Sequence, residues 1–286
     1  MRLAIACLAL AALAAAAAAR RPPPPSAPLP GGIPRVIHQS WRTADVPRQV
    51  DAWRASWARL HPGWRLRLWT DADNRALVLA SYPWLLDTYD ALPAAVMRAD
   101  VARLLYMHHV GGMYADLDFR ALKPFDPLLA PATGAVVGAM VGDDWDQALP
   151  NAWLASPPGA DFWLFALHHV VKMAGAFALH GAARCAVPPR WDWLEGTTGP
   201  AMLFHAAAAY KAAGRSNLTI LAPGVVYPVD WRATQWGQGP GKPADEWSAC
   251  RPDHAGWDEA ACVAKFPGAY AVTYWAHTWG PAGDGR

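Results

Sequence analysis

Asp116 and Asp118, separated by Leu117, are the pair of residues whose types and spacing are best suited to chemistry in this chain. On an extended segment alternate side chains share a face, so the two carboxylates would stand about 6.5–7 Å apart at ~3.3 Å rise per residue. A hard divalent cation takes oxygen ligands and keeps positions open for phosphate oxygens. One or both acids could therefore hold such an ion beside a phosphorylated substrate. A bare Asp-x-Asp is also what an exposed edge or turn looks like. Here Met113, Ala115 and Leu117 alternate with Tyr114, Asp116 and Asp118, and Gly111-Gly112 comes just before, which makes an idle edge the weaker reading. Upstream, Asp100 and Arg103 are three apart and hence adjacent on a helix surface. They are either a structural helix pair or part of the same site.

The segments around these residues must position them. Met97, Val101, Leu104, Leu105 and His108 fall on one face of a 3.6-residue period, which predicts a helix opened by Pro93. Gly111 and Gly112 end it by adopting positive φ at little cost, and a strand carries the acids. Val36-Ile37 predicts a short buried strand with His38-Gln39-Ser40 at its exit. Ligands of open α/β sheets gather beyond the carboxyl ends of strands, so Gln39 and Trp41 become candidates to touch a nucleotide. Val50, Trp53, Trp57 and Leu60 form the stripe of a packing helix, and Trp64 to Trp69 alternates like a half-buried strand. Asp71 is the expected N-cap of a helix over Ala72–Ala80, and a linking helix follows over Tyr82–Leu92. Leu122–Leu129 should be a loop and Ala135–Val141 a buried strand. The acids of Gly142–Gln147 are a second cluster or a solvated loop. A helix over Ala160–Ala178 carries His168-His169, read as structural like His108-His109. Trp191–Pro200 should lead into a helix over Met202–Ala213. Leu218–Leu221 and Val225-Val226 read as strands, Trp236–Pro267 as a surface insertion, and Tyr270–Trp279 as a final strand.

Asp100-Val-Ala-Arg103, Gly111-Gly112-Met-Tyr114 and Asp116-Leu-Asp118, in this order, resemble the sugar-nucleotide region of glycosyltransferase family 32. The segment Ile33–Thr43 resembles that family's opening strand, and Pro62-Gly63 with Leu68-Trp69-Thr-Asp71 its second. The resemblance is close from about Ile33 to Pro127. It implies an α/β fold of the GT-A kind, a Rossmann-like mixed sheet flanked by helices. It implies a metal-dependent, retaining transfer of a hexose from a nucleotide-diphosphate sugar, GDP-mannose or UDP-hexose, to a glycan or glycolipid acceptor. The ion would be Mn²⁺ or Mg²⁺, held by Asp116, Asp118 and a late histidine, here His277. Asp116, Asp118 and Glu195 would be catalytic. Gln39, Trp41, Asp100, Arg103, Gly112, Tyr114, Asn151 and Thr198 would contact the nucleotide sugar; Glu195 and Thr198 enter through the Thr-Gly-Pro that the family places near its cleft. A catalytically silent sugar-binding protein that kept the fold is the alternative, and the intact Asp116 and Asp118 favour the enzyme. A metal hydrolase would need a motif such as His-Glu-x-x-His, which is absent.

Composition sets the outer bounds. The 286 residues suffice for one α/β domain plus a leader, and 53% hydrophobic content supplies a core. A net charge of +2 with no basic run gives a nucleic-acid partner little electrostatic support, and none is expected. Residues 1–19 read as a signal peptide or a short signal anchor, which would allow membrane association and points to the secretory pathway, Golgi lumen or membrane. Residues 20–32 are a Pro-rich linker and 33–286 the catalytic domain. Cys250 and Cys262 are close enough to close a loop by a disulfide in an oxidising compartment, with Cys185 left over. Asn217-Leu-Thr219 is an N-glycosylation acceptor.

Overall fold

The computed structural model describes residues 26–140, 148–181, 191–230 and 248–275. In chain order the elements are β1 (Val36–Ser40), α1 (Asp51–Leu60), β2 (Arg65–Trp69), α2 (Asp71–Ser81), α3 (Leu86–Ala91), α4 (Ala95–His109), β3 (Gly112–Ala115), β4 (Phe119–Ala121), α5 (Asp126–Leu129) and β5 (Ala135–Gly138). They continue with β6 (Trp153–Ser156), α6 (Asp161–Gly181), α7 (Trp191–Thr197), α8 (Pro200–Ala212), β7 (Leu218–Leu221), α9 (Glu259–Ala264) and β8 (Ala271–Thr273). The main sheet has six strands in the order β2-β1-β3-β6-β5-β7, and β4 pairs with β8 in a second, two-stranded sheet. In the main sheet β6 runs antiparallel to β3 and β5, while the other pairings are parallel. This is the mixed sheet flanked by helices that the family resemblance implies. Among the described residues no helix is long and apolar enough to cross a membrane.

That topology gives the sheet one functional edge. The carboxyl ends of β1, β2, β3, β5 and β7 lie together with the amino end of β6, where ligands of open α/β sheets bind. Alternation along the strands sorts their side chains between two cores. Tyr114, Ala135, Val137 and Leu154 pack with α4 and α6, while Met113, Ala115, Val136 and Trp153 pack on the opposite face with Trp57 of α1.

The central helix is more deeply buried than its one-faced stripe predicts. Met97, Val101, Leu104 and Leu105 are buried as expected, but Asp100, Ala102, Arg103, Tyr106 and Met107 are buried too. The reason is tertiary: α4 has the sheet on one side and α2, α3 and α6 on others, so almost no face is left to water.

The turn after α4 is as read from the glycines. Gly111 and Gly112 have φ of 69° and 102°. A Cβ on Gly112 would lie 2.5 Å from the Val36 carbonyl oxygen, so glycine here also lets β3 approach β1. His38 of β1 secures this turn. Its Nδ1 accepts the Trp69 indole N–H (2.9 Å), so Nε2 carries the proton donated to the Gly111 carbonyl (2.8 Å). Burial pushes the His38 pKa down to about 3, and the ring stays neutral.

Several local expectations are corrected. Thr70, not Asp71, caps α2: its hydroxyl accepts from the Asp73 N–H and the Asp73 carboxylate answers, a reciprocal capping box. Pro93 precedes α4 without joining it, since the helix starts at Ala95. The expected loop over Leu122–Leu129 contains α5, and Trp191–Thr197 is helix. Val225-Val226 forms no strand; Val226 and Tyr227 are irregular backbone packed into the core. Leu29, assigned to the Pro-rich linker, is buried and exchanges backbone hydrogen bonds with Gly32 and Ile33. Cys250 and Cys262 are disulfide-bonded and buried beside Val50, Trp53 and Leu117. Residues 1–25, the acids of Gly142–Gln147, Cys185 and His277 lie outside the described residues.

Candidate active site

β3 ends at Ala115, and the two acids follow on a tight turn rather than on the strand. Phe119 N–H bonds back to the Asp116 carbonyl (3.1 Å), closing the turn. The turn is needed because β3 and β4 belong to different sheets, and aspartate is a favoured first residue of such a turn. The expected side-by-side extended spacing is therefore corrected. Leu117 points into a third core cluster with Val50, Trp53 and the disulfide, and Asp116 and Asp118 stay half-buried at the sheet edge. Two backbone bonds from outside pin the turn: Asp116 N–H to the Ala152 carbonyl (2.9 Å) and Tyr274 N–H to the Asp118 carbonyl (3.2 Å).

Behind the turn lies a buried polar network. Arg103, 7% exposed, directs one guanidinium nitrogen to the backbone and side-chain oxygens of Asn151 (3.1 and 3.0 Å) and stands 3.4 Å from Asp100. Its other terminal nitrogen is 3.4 Å from Asp116. Asp100 accepts from the Asn151 amide (3.0 Å) and from the Thr198 hydroxyl (2.9 Å). The guanidinium also lies 5.0 Å from the Tyr114 ring centre, and the Tyr114 hydroxyl donates to Asp116. Burial favours loss of the Arg103 proton, but Asp116, Tyr114 and Asp100 together outweigh it, so the side chain remains a cation. Burial likewise raises Tyr114, so its hydroxyl stays a donor.

Asp100 and Arg103 are thus neither a surface helix pair nor isolated. They join α4 to the turn after β3, to the start of β6 through Asn151, and to the α7–α8 junction through Thr198. Thr198 arrives at this point because α7 ends at Thr197 and α8 starts at Pro200, leaving Gly199 as a hinge with no room for a side chain against Glu195.

The Asp100 carboxyl is pushed up to about 6, first by burial, with Arg103, Thr198 and Asn151 pulling it back toward its ordinary 3.8. Between about pH 4 and 6 the folded state therefore keeps a proton that the unfolded chain releases. Stability falls as pH rises through that window, by roughly 2–3 kcal/mol. Urea melts of the wild type and Asp100→Asn at about pH 4 and pH 7 should show this loss in the wild type and not in the variant. Parallel pH dependence in the two proteins would exclude Asp100 as its source.

The remaining candidates divide. Asn151, Thr198, Tyr114 and both aspartates are brought together. Gln39 is at the right edge but is buried, its Oε1 accepting from Arg54 (3.3 Å). Trp41 is half-buried against the cluster that holds Leu117. Glu195 is half-buried one turn before Thr198, in the helix that delivers it. Gly112 is not at the site: it begins β3, about 13 Å of strand before Asp116, and its role is the close approach to β1. His277 lies outside the described residues.

Tyr227 is the residue that reading the sequence missed. Its hydroxyl accepts the Trp153 N–H (2.7 Å) and donates to the Pro150 carbonyl (3.1 Å), fixing the segment that carries Asn151. Burial first, then the nearby Asp116 charge, holds it protonated. Tyr227-Pro228 carries no local signal of this role; only the packing reveals it.

The donor set suits a hard cation. Asp116 and Asp118 offer carboxylate oxygens on a pinned turn at the carboxyl edge of the sheet, and a hard divalent cation held there would take its remaining ligands from phosphate and water. Among the described residues no third His, Cys, Asp or Glu joins them.

Residues 47–134 match the family described as "Glycosyltransferase sugar-binding region containing DXD motif". Inositol phosphoceramide mannosyltransferase 1 of Schizosaccharomyces pombe is 34% identical over 143 residues, 49% of this chain and 43% of that protein. Inositol phosphoceramide mannosyltransferase 2 of the same yeast is 42% identical over 97 residues, 34% of this chain and 28% of that protein. A mannosyl phosphorylinositol ceramide synthase of Saccharomyces cerevisiae is 39% identical over 103 residues, 36% of this chain and 27% of that protein. The chain spans less than half the length of these relatives. Among solved structures, the PaToxG glycosyltransferase aligns with a TM-score of 0.44 at 16% identity, over 64% of this chain and 70% of that one. Asn151 and Thr198, which complete the polar network, lie beyond the matched family region. Residues 47–134 thus match a DXD-containing glycosyltransferase sugar-binding region, and the chain is similar in part to yeast inositol phosphoceramide mannosyltransferases.

Proposed function

We propose that this chain is a metal-dependent, retaining glycosyltransferase of the GT-A kind. It moves a hexose (mannose, galactose or N-acetylglucosamine) from GDP-mannose or a UDP-hexose to a glycan or glycolipid acceptor in the secretory pathway. The observation that carries the reading is the buried Arg103, which ties Asp100 and Asn151 to Asp116 at the carboxyl edge of the sheet. An isolated acidic turn needs no such foundation. Here the structure invests a buried cation, two buried acceptors and a tyrosine in orienting one carboxylate.

Asp116 and Asp118 would hold Mn²⁺ or Mg²⁺, with His277 as a further ligand. Bound there, the ion supplies Lewis-acid stabilisation of the charge that develops on the departing nucleoside diphosphate. Arg103 keeps its proton, so it offsets the paired negative charge of Asp100 and Asp116 and holds both in place. The Tyr114 hydroxyl restricts the Asp116 rotamer, which preorganises the acid before substrate enters. Trp41 and Gln39, at the end of β1, would border the nucleotide. Asn151, Thr198 and Glu195 would border the sugar.

The test is to incubate the purified chain with GDP-mannose and with UDP-hexoses, with Mn²⁺ and after chelation, and to measure nucleotide release. Release from one of these donors, only with metal, is the expected result. Metal-independent glycan binding without nucleotide binding would instead identify a silent sugar-binding protein.

A further inference from the structure

The acceptor sequence Asn217-Leu218-Thr219 occupies a particular place in the fold. Two residues beyond α8, Gly214 adopts the left-handed region (φ 74°), and Arg215 then pairs with Asp161 (2.7 Å) while lying over the rings of Phe165 and Tyr210. The chain therefore enters β7 along an anchored path. The Asn217 carbonyl accepts from Ala135 N–H (3.0 Å), so its backbone is paired while its side chain is exposed, and Thr219 is exposed as well.

β7 closes one side of the six-stranded order and, among the described residues, pairs only with β5. Ala135 N–H bonds to the Asn217 carbonyl and Ala139 N–H to the Leu221 carbonyl, so the odd-numbered residues of this strand face β5. By alternation, the N–H and C=O of Leu218 and Ile220 point away from β5, to the side where no described strand pairs with them. A strand edge of this kind, flanked by half-buried Leu218 and Ile220, is a template for pairing with another chain. The buried Cys250–Cys262 disulfide is independent of this geometry and belongs to an oxidising compartment, the kind in which N-glycosylation takes place.

We infer that Asn217 carries an N-linked glycan and that this glycan covers the open edge of β7. In the modification the Asn217 amide nitrogen bonds to the anomeric carbon of a lipid-diphosphate-linked oligosaccharide. The diphosphate departs with the electron pair of the broken C–O bond, and the amide gives up one proton. Because β7 runs parallel to β3, Asn217 sits at the amino edge of the sheet, opposite the edge that presents Asp116. The glycan leaves the catalytic edge open.

The experiment expresses the full chain in a eukaryotic secretory host, digests it, and compares the mass of the Asn217 peptide before and after N-glycosidase. The expected result is glycan at Asn217 in the wild type and none in Asn217→Gln or Thr219→Ala. By light scattering these two variants should self-associate at concentrations where the wild type is monodisperse. Thr219→Lys, which also removes the acceptor but sets a charge on the edge, should remain monodisperse. An unmodified Asn217, whether the chain is secreted or retained in the cytosol, overturns the proposal. Glycan-free Asn217→Gln that stays as monodisperse as the wild type overturns the role of edge cover. Nucleotide-sugar turnover is expected to be equal in Asn217→Gln and wild type, so this result and the proposed transferase activity stand or fall separately.

Discussion

Asp118→Ala is expected to lower donor turnover on the order of 10³-fold or more, with little change in melting temperature. Activity should fall because one of the two carboxylates offered to the cation is gone, and charge on the departing diphosphate is then poorly stabilised. The fold should survive because the bonds that shape this turn are main-chain bonds: Phe119 N–H to the Asp116 carbonyl, and Tyr274 N–H to the Asp118 carbonyl. Truncating the side chain leaves both in place. Initial rates across a Mn²⁺ titration, with a thermal melt of the same preparation, check both halves of the expectation. A wild-type rate would remove Asp118 from the mechanism.

Arg103→Met is expected to damage both stability and activity. The guanidinium is the shared partner of Asp100, Asn151 and Asp116, and methionine fills part of its volume while supplying no charge. Removing one member of a buried ionic cluster leaves an uncompensated charge, a cost of about 3–5 kcal/mol. In a chain of this size that lowers the melting temperature on the order of 10 °C. Arg103→Lys should recover part of the stability and less of the activity, because an ammonium cannot span Asn151 and Asp116 with a planar fork. The double variant Arg103→Met/Asp100→Asn separates the two losses. It should regain stability, since the stranded acid is gone, yet remain poorly active, since Asp116 is still unsupported. Additive destabilisation in the double variant would show that Asp100 and Arg103 are not coupled.

The amino-acid sequence by itself determined the local elements around the site. The apolar period of Met97, Val101, Leu104 and Leu105 predicts α4, the two glycines predict its end, and the alternation after them predicts β3, because helix and strand periods are written in neighbouring residues. The family resemblance of Asp100, Arg103, Asp116 and Asp118 is legible for the same reason: each motif is short and contiguous. Tertiary structure alone decided what those motifs do to one another. It turned Asp116-Leu117-Asp118 from a strand into a turn, because β3 and β4 belong to different sheets. It buried Asp100 and Arg103, which spacing left as either a helix pair or part of the site, because Asn151 before β6 and Thr198 between α7 and α8 meet them. It joined Thr198, which the Thr-Gly-Pro motif had only nominated, to Asp100, and it brought in Tyr227, which follows Asp116 by some hundred and ten positions and which no local pattern marks. It also withdrew Gly112 from the site and gave it to the contact with β1. Spacing along the chain constrains only near neighbours, whereas burial, ion pairing and the satisfaction of buried donors are set by segments that meet only when the sheet is assembled.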